Sequence, residues 1–371
     1  MAVAIVTAAR SGHELPVYPS YYPHEIELMA VAPERAADLL LAGKIQAYVG
    51  SAPRFAVPPP ESIGSIESLG SFVIVRVNSA SPFAKDGRSA CAIAKTVVRD
   101  LAAKNGDLVV HPYPVTPFHG DYLHHVDLAE AAKVRLLEGA SVAPVDLRNL
   151  KVKADAELAR SLVPAEWGMG DAEWDVEVVT VDAAKLAAAK SFAINGWLGP
   201  AWIRSGWFHA YVLLSARAGD EDSKQRIETL VRRLQTASHD GAVERINLER
   251  SLVAALAGDC HALVAGYTVK REYFSTVFTA GIENIAYDAI AGFNSPMFVR
   301  TVKLKDFPWN GWLALGIGGS ATAAWNPVAG FNDDFGRLMW SAVGDPASIP
   351  SPYESAWTFN RISDVQSSAR Q

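Results

Sequence analysis

The sequence predicts an α/β protein made of two similar lobes, and three observations carry that reading. The chain has 371 residues, more than a single hydrophobic core usually serves, so two domains are expected. Its first half alternates β-patterned runs with helical ones, the order from which strand–helix–strand units are built. The stretch 33–50 also repeats without gaps at one offset of 215 residues. Glu34 and Glu249, Arg35 and Arg250, Ala42 and Ala257, Gly43 and Gly258, Ala47 and Ala262, and Val49 and Val264 coincide, and His24 falls on His239. A helix-then-strand pattern repeated in register points to two lobes of like build.

The elements follow from local pattern. Residues 25–31 alternate like a strand, and 33–43 read as a helix with proline in its first turn and glycine at its end. Another strand is expected at 45–50, then a proline-rich connection over 53–60 and a hydrophobic strand over 72–78. Residues 89–104 have helical periodicity, with Ala90, Ile93, Ala94, Val97 and Leu101 on one face. A strand at 107–111, a helix at 128–138, a strand at 176–181 and an alanine-rich helix at 183–192 come next. The apolar run 210–215 reads as a buried strand, and 222–235 as a charged amphipathic helix.

Composition bounds the partners. Half the residues are hydrophobic, a fifth are charged and the net charge is −6, so neither nucleic acid nor an anionic membrane surface is an expected partner. Residues 308–332 carry no charge, but their glycines and prolines make a poor spanning helix, so the chain is not expected to be membrane-embedded. The apolar start, residues 1–10, lacks a basic flank and reads either as a first strand or as the end of a signal peptide. The two cysteines, Cys91 and Cys260, form no Cys-x-x-Cys unit; two buried thiols are expected, with one long-range disulfide as the open alternative.

Candidate chemistry concentrates in one loop. Four of the nine histidines, His111, His119, His124 and His125, lie within residues 111–125 with three prolines and a glycine. Prolines at that density call for a shaped loop. Imidazoles beside Asp121 and Asp127 have the donors for a divalent transition metal, and these four histidines are the metal-ligand candidates. Their spacing matches no zinc signature, and hydrogen-bonded loop histidines are the alternative. Gly-x-Ser-x-Gly is absent, neither cysteine has a basic sequence context, and residues 316–320 lack the lysine of a phosphate loop. No catalytic residue is assigned, and binding is favoured over catalysis. Trp197, Trp202 and Trp207 recur at a spacing that suits core filling better than one helix or strand face.

The pattern of a helix, then Leu-x-Ala-Gly-x-x-x-Ala-x-Val, then a turn of small residues resembles bilobal (type II) periplasmic solute-binding proteins, nearest to those for phosphate and phosphonate. Ile282-Glu-Asn-Ile-Ala-Tyr-Asp288, followed by Asn294-Ser-Pro-Met-Phe-Val-Arg300, resembles that family's hinge crossover of strand, proline turn and strand. The resemblance covers residues 15–80 and 205–305; residues 105–205, with the histidine loop, have no counterpart in it. It implies lobe 1 over 1–100, a joining or inserted segment over 101–205, lobe 2 over 206–290, and a hinge return with an aromatic tail over 291–371. It further implies capture of a small anion, or of a metal or metal complex, in an interlobe cleft, for an ABC-type transporter in the membrane. Export to the periplasm is implied, the cytoplasm being the other location. Ligand contacts would come from turns at strand ends: Tyr21, Tyr22 and His24; Gly50 and Ser51; and Ser215 with Arg217, where a following helix start would favour an anion. A metal-dependent enzyme built on the histidine loop and a non-catalytic interaction protein are the competing classes.

Overall fold

The computed structural model describes residues 23–84, 86–138, 150–154, 156–170, 173–187, 199–217, 221–258, 260–306, 311–320, 333–344, 347–360 and 362–363. Its strands and helices are, along the chain, β1 (Glu25–Ala30), α1 (Pro33–Leu41), β2 (Ala47–Val49), β3 (Ile63–Val77), α2 (Gly87–Lys104), β4 (Leu108–Val110) and α3 (Val126–Leu137). Then come β5 (Lys151–Lys153), α4 (Glu157–Leu162), β6 (Gly168–Met169), β7 (Val176–Asp182), α5 (Ala183–Ala187), α6 (Gly206–Leu214), α7 (Glu221–Gln235), α8 (Gly241–Leu256) and β8 (Ala262–Ser275). The chain continues through β9 (Ile282–Glu283), α9 (Pro296–Thr301), β10 (Lys303–Leu304), β11 (Trp312–Ile317), α10 (Asp334–Val343), β12 (Ser348–Pro350) and β13 (Trp357–Phe359).

The fold is α/β, and it divides into two compact units. The first holds the residues up to Ser68, Lys270–Pro352 and those from Trp357; the second holds Leu69–Val269 with Tyr353–Ala356. The chain passes from one unit to the other within β3 and again within β8. These boundaries fall at other positions than the expected breaks near 100 and 205, and the histidine loop lies inside the second unit.

In the first unit β1 lies parallel to β11, β11 parallel to β2, and β2 antiparallel to the end of β8. Its core gathers Ala47, Val49, Phe293, Phe298, Leu313 and Leu315 on one side, and Leu40, Ile45 and Tyr48 on another. In the second unit β7 runs antiparallel along β3, β5 lies parallel to β7, and β4 pairs antiparallel with the first half of β8. The expected face of α2 is buried there, with Ala90, Ile93, Ala94, Val97 and Leu101 set against Val73, Val75, Val176 and Val178. Asp86 caps that helix by accepting from the Ser89 N–H, which satisfies one of the donors a helix start leaves free.

The internal repeat is realised once in each unit. α1 is capped by Ala42 and followed by Gly43 before β2, while α8 is capped by Ala257 and followed by Gly258 before β8. The two C-caps have nearly the same backbone, φ −80°, ψ −2° at Ala42 and φ −82°, ψ 1° at Ala257. Only Gly43 of the two glycines is left-handed, with φ +64°.

Three expectations are corrected. The run 210–215 is helical, with residues 210–214 in α6 and Ser215 in the 3-10 turn after it, not a strand. All but two of that helix's nine residues are buried, and an apolar run without a polar face cannot declare its period. Residues 294–300 are not a returning strand either: Ser295 accepts from the Phe298 N–H, Pro296 opens α9, and the whole segment stays within the first unit. Cys91 and Cys260, finally, are a disulfide with Cα atoms 4.9 Å apart, so the buried-thiol reading is replaced by its alternative.

Candidate functional site

The histidine loop is shaped by its prolines, as expected, and closes with a 3-10 turn, Tyr122–His124, that runs into α3. Three of its four histidines turn inward and are buried, but they do not converge on one point. His111 Nε2 meets the Val115 carbonyl at 2.8 Å. His119 Nδ1 accepts from the Thr116 N–H at 2.9 Å, and its Nε2 lies 3.0 Å from His209 Nδ1. Because Nδ1 of His119 accepts, the neutral ring carries its proton on Nε2 and donates it to His209. Phe72 of β3 stacks on His119 and meets His209 edge-on, at 6.1 and 5.9 Å between ring centres. Burial lowers the pKa of His111, His119 and His209, so all three favour the neutral form.

The loop's end is fixed by α8. Arg250 donates to both Asp127 carboxylate oxygens, at 2.7 and 2.6 Å, and also to the His124 carbonyl. A fork-to-fork pair of this kind sets orientation as well as charge. His124 itself is half-buried.

One turn away, Asp121, His125 and Glu249 come together. Each offers a ligand atom, and these atoms all lie within 4.8 Å of one another. Asp121 accepts from the Gly206 N–H on both oxygens at 3.0 Å, a carboxylate at the start of α6 where the helix dipole favours it. Gly206 also lets Val115 pack closely, since a Cβ there would lie 2.4 Å from its side chain. His125 Nδ1 meets the Tyr113 hydroxyl at 2.8 Å, and Glu249 Oε1 accepts from Arg245, one helical turn earlier, at 2.7 Å. Relative exposures are 6% for Asp121, 0% for His125 and 2% for Glu249. Burial pushes the Glu249 carboxyl up to about 7 and the His125 imidazole down to about 4. His125 Nε2 and Glu249 Oε2 have no hydrogen-bond partner among the described residues.

Of the four expected metal-ligand histidines, therefore, only His125 joins a group with metal-ligand spacing; His111 and His119 are occupied by other hydrogen bonds. Sequence reading placed Asp121 beside the histidines without assigning it as a ligand, and missed Glu249. Glu249 stands 124 positions from His125 in sequence, and the sequence marked it only as the repeat counterpart of Glu34.

The expected turn residues are more dispersed. Tyr21 and Tyr22 lie outside the described residues, and His24 is exposed, its N–H donating to the Gly311 carbonyl at 2.7 Å. The Gly50 N–H donates to Glu272 Oε1 at 2.6 Å, and the Phe293 N–H to Oε2 of the same buried carboxylate at 2.9 Å. That backbone is thus engaged in holding the first unit together. The Ser51 hydroxyl oxygen is buried without a partner among the described residues. Ser215 and Arg217 sit in a 3-10 turn at the end of α6. That turn therefore follows a helix and not a strand, while α7 begins after it at Glu221. Trp207 is buried against Phe208 and Trp202, at 5.9 and 5.7 Å, in keeping with core filling; Trp197 lies outside the described residues.

No family model matches the chain, and no curated protein does. Solved structures similar to it include the oligopeptide-binding protein AppA of Bacillus subtilis, in complex with a nonapeptide, at 11% identity and a TM-score of 0.42, covering 74% of this chain and 59% of that one. A periplasmic binding protein associated with an ABC transporter, DppA of Helicobacter pylori, in complex with a peptide, is similar at 13% identity and a TM-score of 0.40, covering 72% and 54%. NikZ of Campylobacter jejuni, in complex with nickel and L-histidine, is similar at 13% identity and a TM-score of 0.34, covering 68% and 56%. The chain thus spans less than two thirds of the length of each. Likeness at this level assigns no ligand, and the phosphate- or phosphonate-type specificity finds no support in it. Among the described residues no helix is long and apolar enough to cross a membrane.

Proposed function

We propose that this chain is an exported solute-binding protein that captures a ligand for an ABC-type transporter. The observation that carries the reading is topological: two compact α/β units, neither of them continuous in sequence, with the chain passing between them inside two long strands, β3 and β8. The helix–turn–strand pattern found once in each unit supports it, and the Cys91–Cys260 disulfide supports an oxidising compartment such as the periplasm. A metal-dependent enzyme is the second reading, favoured by Asp121, His125 and Glu249 alone. The burial of all three fits a closed binding site better than one open to substrate.

A thermal-shift screen tests the proposal, with short peptides, oxyanions, divalent ions and metal–amino-acid complexes as its arms. One class should raise Tm saturably without being converted to product; a ligand at a hundred times its Kd stabilises by about 2.7 kcal/mol. If no arm moves Tm and calorimetry detects no binding heat, the proposal fails. Turnover of a bound compound would transfer support to the enzyme reading.

A further inference from the structure

We infer that Asp121, His125 and Glu249 are the protein ligands of a single divalent transition-metal ion that ties the histidine loop to helix α8. The inference stands apart from the solute-binding proposal, because all three residues lie inside the second unit.

Three observations converge on it. The ligand atoms already stand within 4.8 Å of one another, so one ion could be reached by all three with side-chain adjustment alone. Two of the groups also carry a buried atom with no partner among the described residues, His125 Nε2 and Glu249 Oε2. Buried polar atoms are satisfied in the great majority of cases, and an orphan asks for an absent partner. Here one carboxylate oxygen and one imidazole nitrogen are orphaned within a single cluster, the donor pair a borderline metal ion takes. The third observation is that the remaining atoms of the same side chains are held from behind. Tyr113 meets His125 Nδ1, Arg245 holds Glu249 Oε1, and the Gly206 N–H holds Asp121. Metal ligands are oriented by an outer layer of this kind.

The chemistry of the set narrows the ion. One imidazole with two carboxylates and no sulfur suits zinc, manganese or iron(II), and is a poor host for copper(I). Two carboxylates balance a dication. Without it, two acidic side chains share a buried site in which Arg245 pairs with Glu249 alone, an arrangement that costs free energy unless it is neutralised. Binding through Nε2 places the His125 proton on Nδ1, where it is donated to the Tyr113 hydroxyl oxygen. Tyr113 is then a positioning residue.

The test uses the full chain, purified without a histidine tag, stripped with EDTA and titrated with zinc(II) and, separately, cobalt(II). One equivalent of zinc should bind, and Glu249→Gln, which keeps the side chain's size, should lose that equivalent. Tyr113→Phe should retain the stoichiometry and weaken affinity about 10- to 100-fold. No uptake by the wild type, or equal uptake by wild type and Glu249→Gln, overturns the inference. If Glu249→Gln does not fold, X-ray absorption of the wild-type cobalt complex decides: a shell of one imidazole with oxygen donors supports the site, and an all-oxygen shell overturns it.

Discussion

Removing the Cys91–Cys260 disulfide should destabilise the second unit specifically. The bridge closes a loop of 169 residues, and both ends and the loop lie within Leu69–Val269. In the chain-entropy account a closed loop restricts the unfolded ensemble by an amount that grows with the logarithm of its length. For this loop that is about 5 kcal/mol at 25 °C, against about 2–4 kcal/mol for a typical bridge. The perturbation is the Cys91→Ala/Cys260→Ala double variant, or the wild type held in reductant. The assay is urea unfolding followed by tryptophan fluorescence, which reports the second unit through the buried Trp167 and Trp207. The midpoint should fall and the m-value should rise, because an uncrosslinked chain exposes more surface on unfolding. A loss below about 1 kcal/mol would refute the entropic reasoning. Two alkylatable thiols in unreduced protein would refute the bridge itself, and with it the support for export.

Acid should destabilise the metal-free protein. His125 has its pKa lowered to about 4 by burial, so its contribution is complete above 6.5 and is lost as pH falls toward 4, about 3 kcal/mol at 1.36 kcal/mol per unit. His119 and His209 act in the same direction. Glu249, raised to about 7, works the other way, favouring the fold as pH falls from 7 toward 4.5. Urea midpoints from pH 8 to 4 in EDTA should therefore fall, and fall more steeply in Glu249→Gln; equal slopes for the two proteins would count against this assignment. Gly292→Ala should cost about 3 kcal/mol or more by chemical denaturation. Its φ is +67°, and a Cβ would stand 1.7 Å from Oε2 of Glu272, whose carboxylate is held by the Phe293 N–H on that oxygen and the Gly50 N–H on the other. Glu272→Gln should lose about 1–3 kcal/mol in the same assay, since an amide can accept only one of those two N–H groups well; an unchanged midpoint would show that the network is dispensable.

The parts of the fold legible in the sequence were those with a period or a punctuating residue. α2 declared its buried face through Ala90, Ile93, Ala94, Val97 and Leu101, and α1 was bracketed by Pro33 and Gly43. α6 was hidden because Trp207, Phe208, Ala210, Leu213 and Leu214 give it apolar residues all round. β8 was legible only at its start, where it repeats the pattern of β2. Beyond Val264 it continues through Tyr267, Lys270, Arg271 and Glu272, a mixed run whose strand character comes from its partners β4 and β2. The site was half legible. Clustering of histidines singled out the loop, but which histidine faces a carboxylate depends on where α8 passes, and no local pattern in residues 111–125 contains that.

The internal repeat and the candidate metal centre meet in the pair Glu249–Arg250, the counterpart of Glu34–Arg35. In the first unit Glu34 is in the opening turn of α1 and exposed, paired with Arg54 at the surface, where such a pair contributes little. In the second unit α8 begins at Gly241, well before the repeat. Glu249 therefore falls deep in the helix and faces inward to Asp121 and His125, while Arg250 clamps the end of the loop. The same glutamate position makes a surface ion pair in one unit and joins a buried polar cluster in the other. What differs is the loop: residues 111–125 lay Asp121 and His125 against α8, and α1 has no equivalent partner among the described residues. Repetition thus accounts for the scaffold, since helix, cap and strand recur without regard to what packs on them. The buried charges are where the two units part, because an ionisable residue is retained in a core only when something there compensates it. In the second unit Arg245 does so for one oxygen of Glu249, and the other is left for the ion.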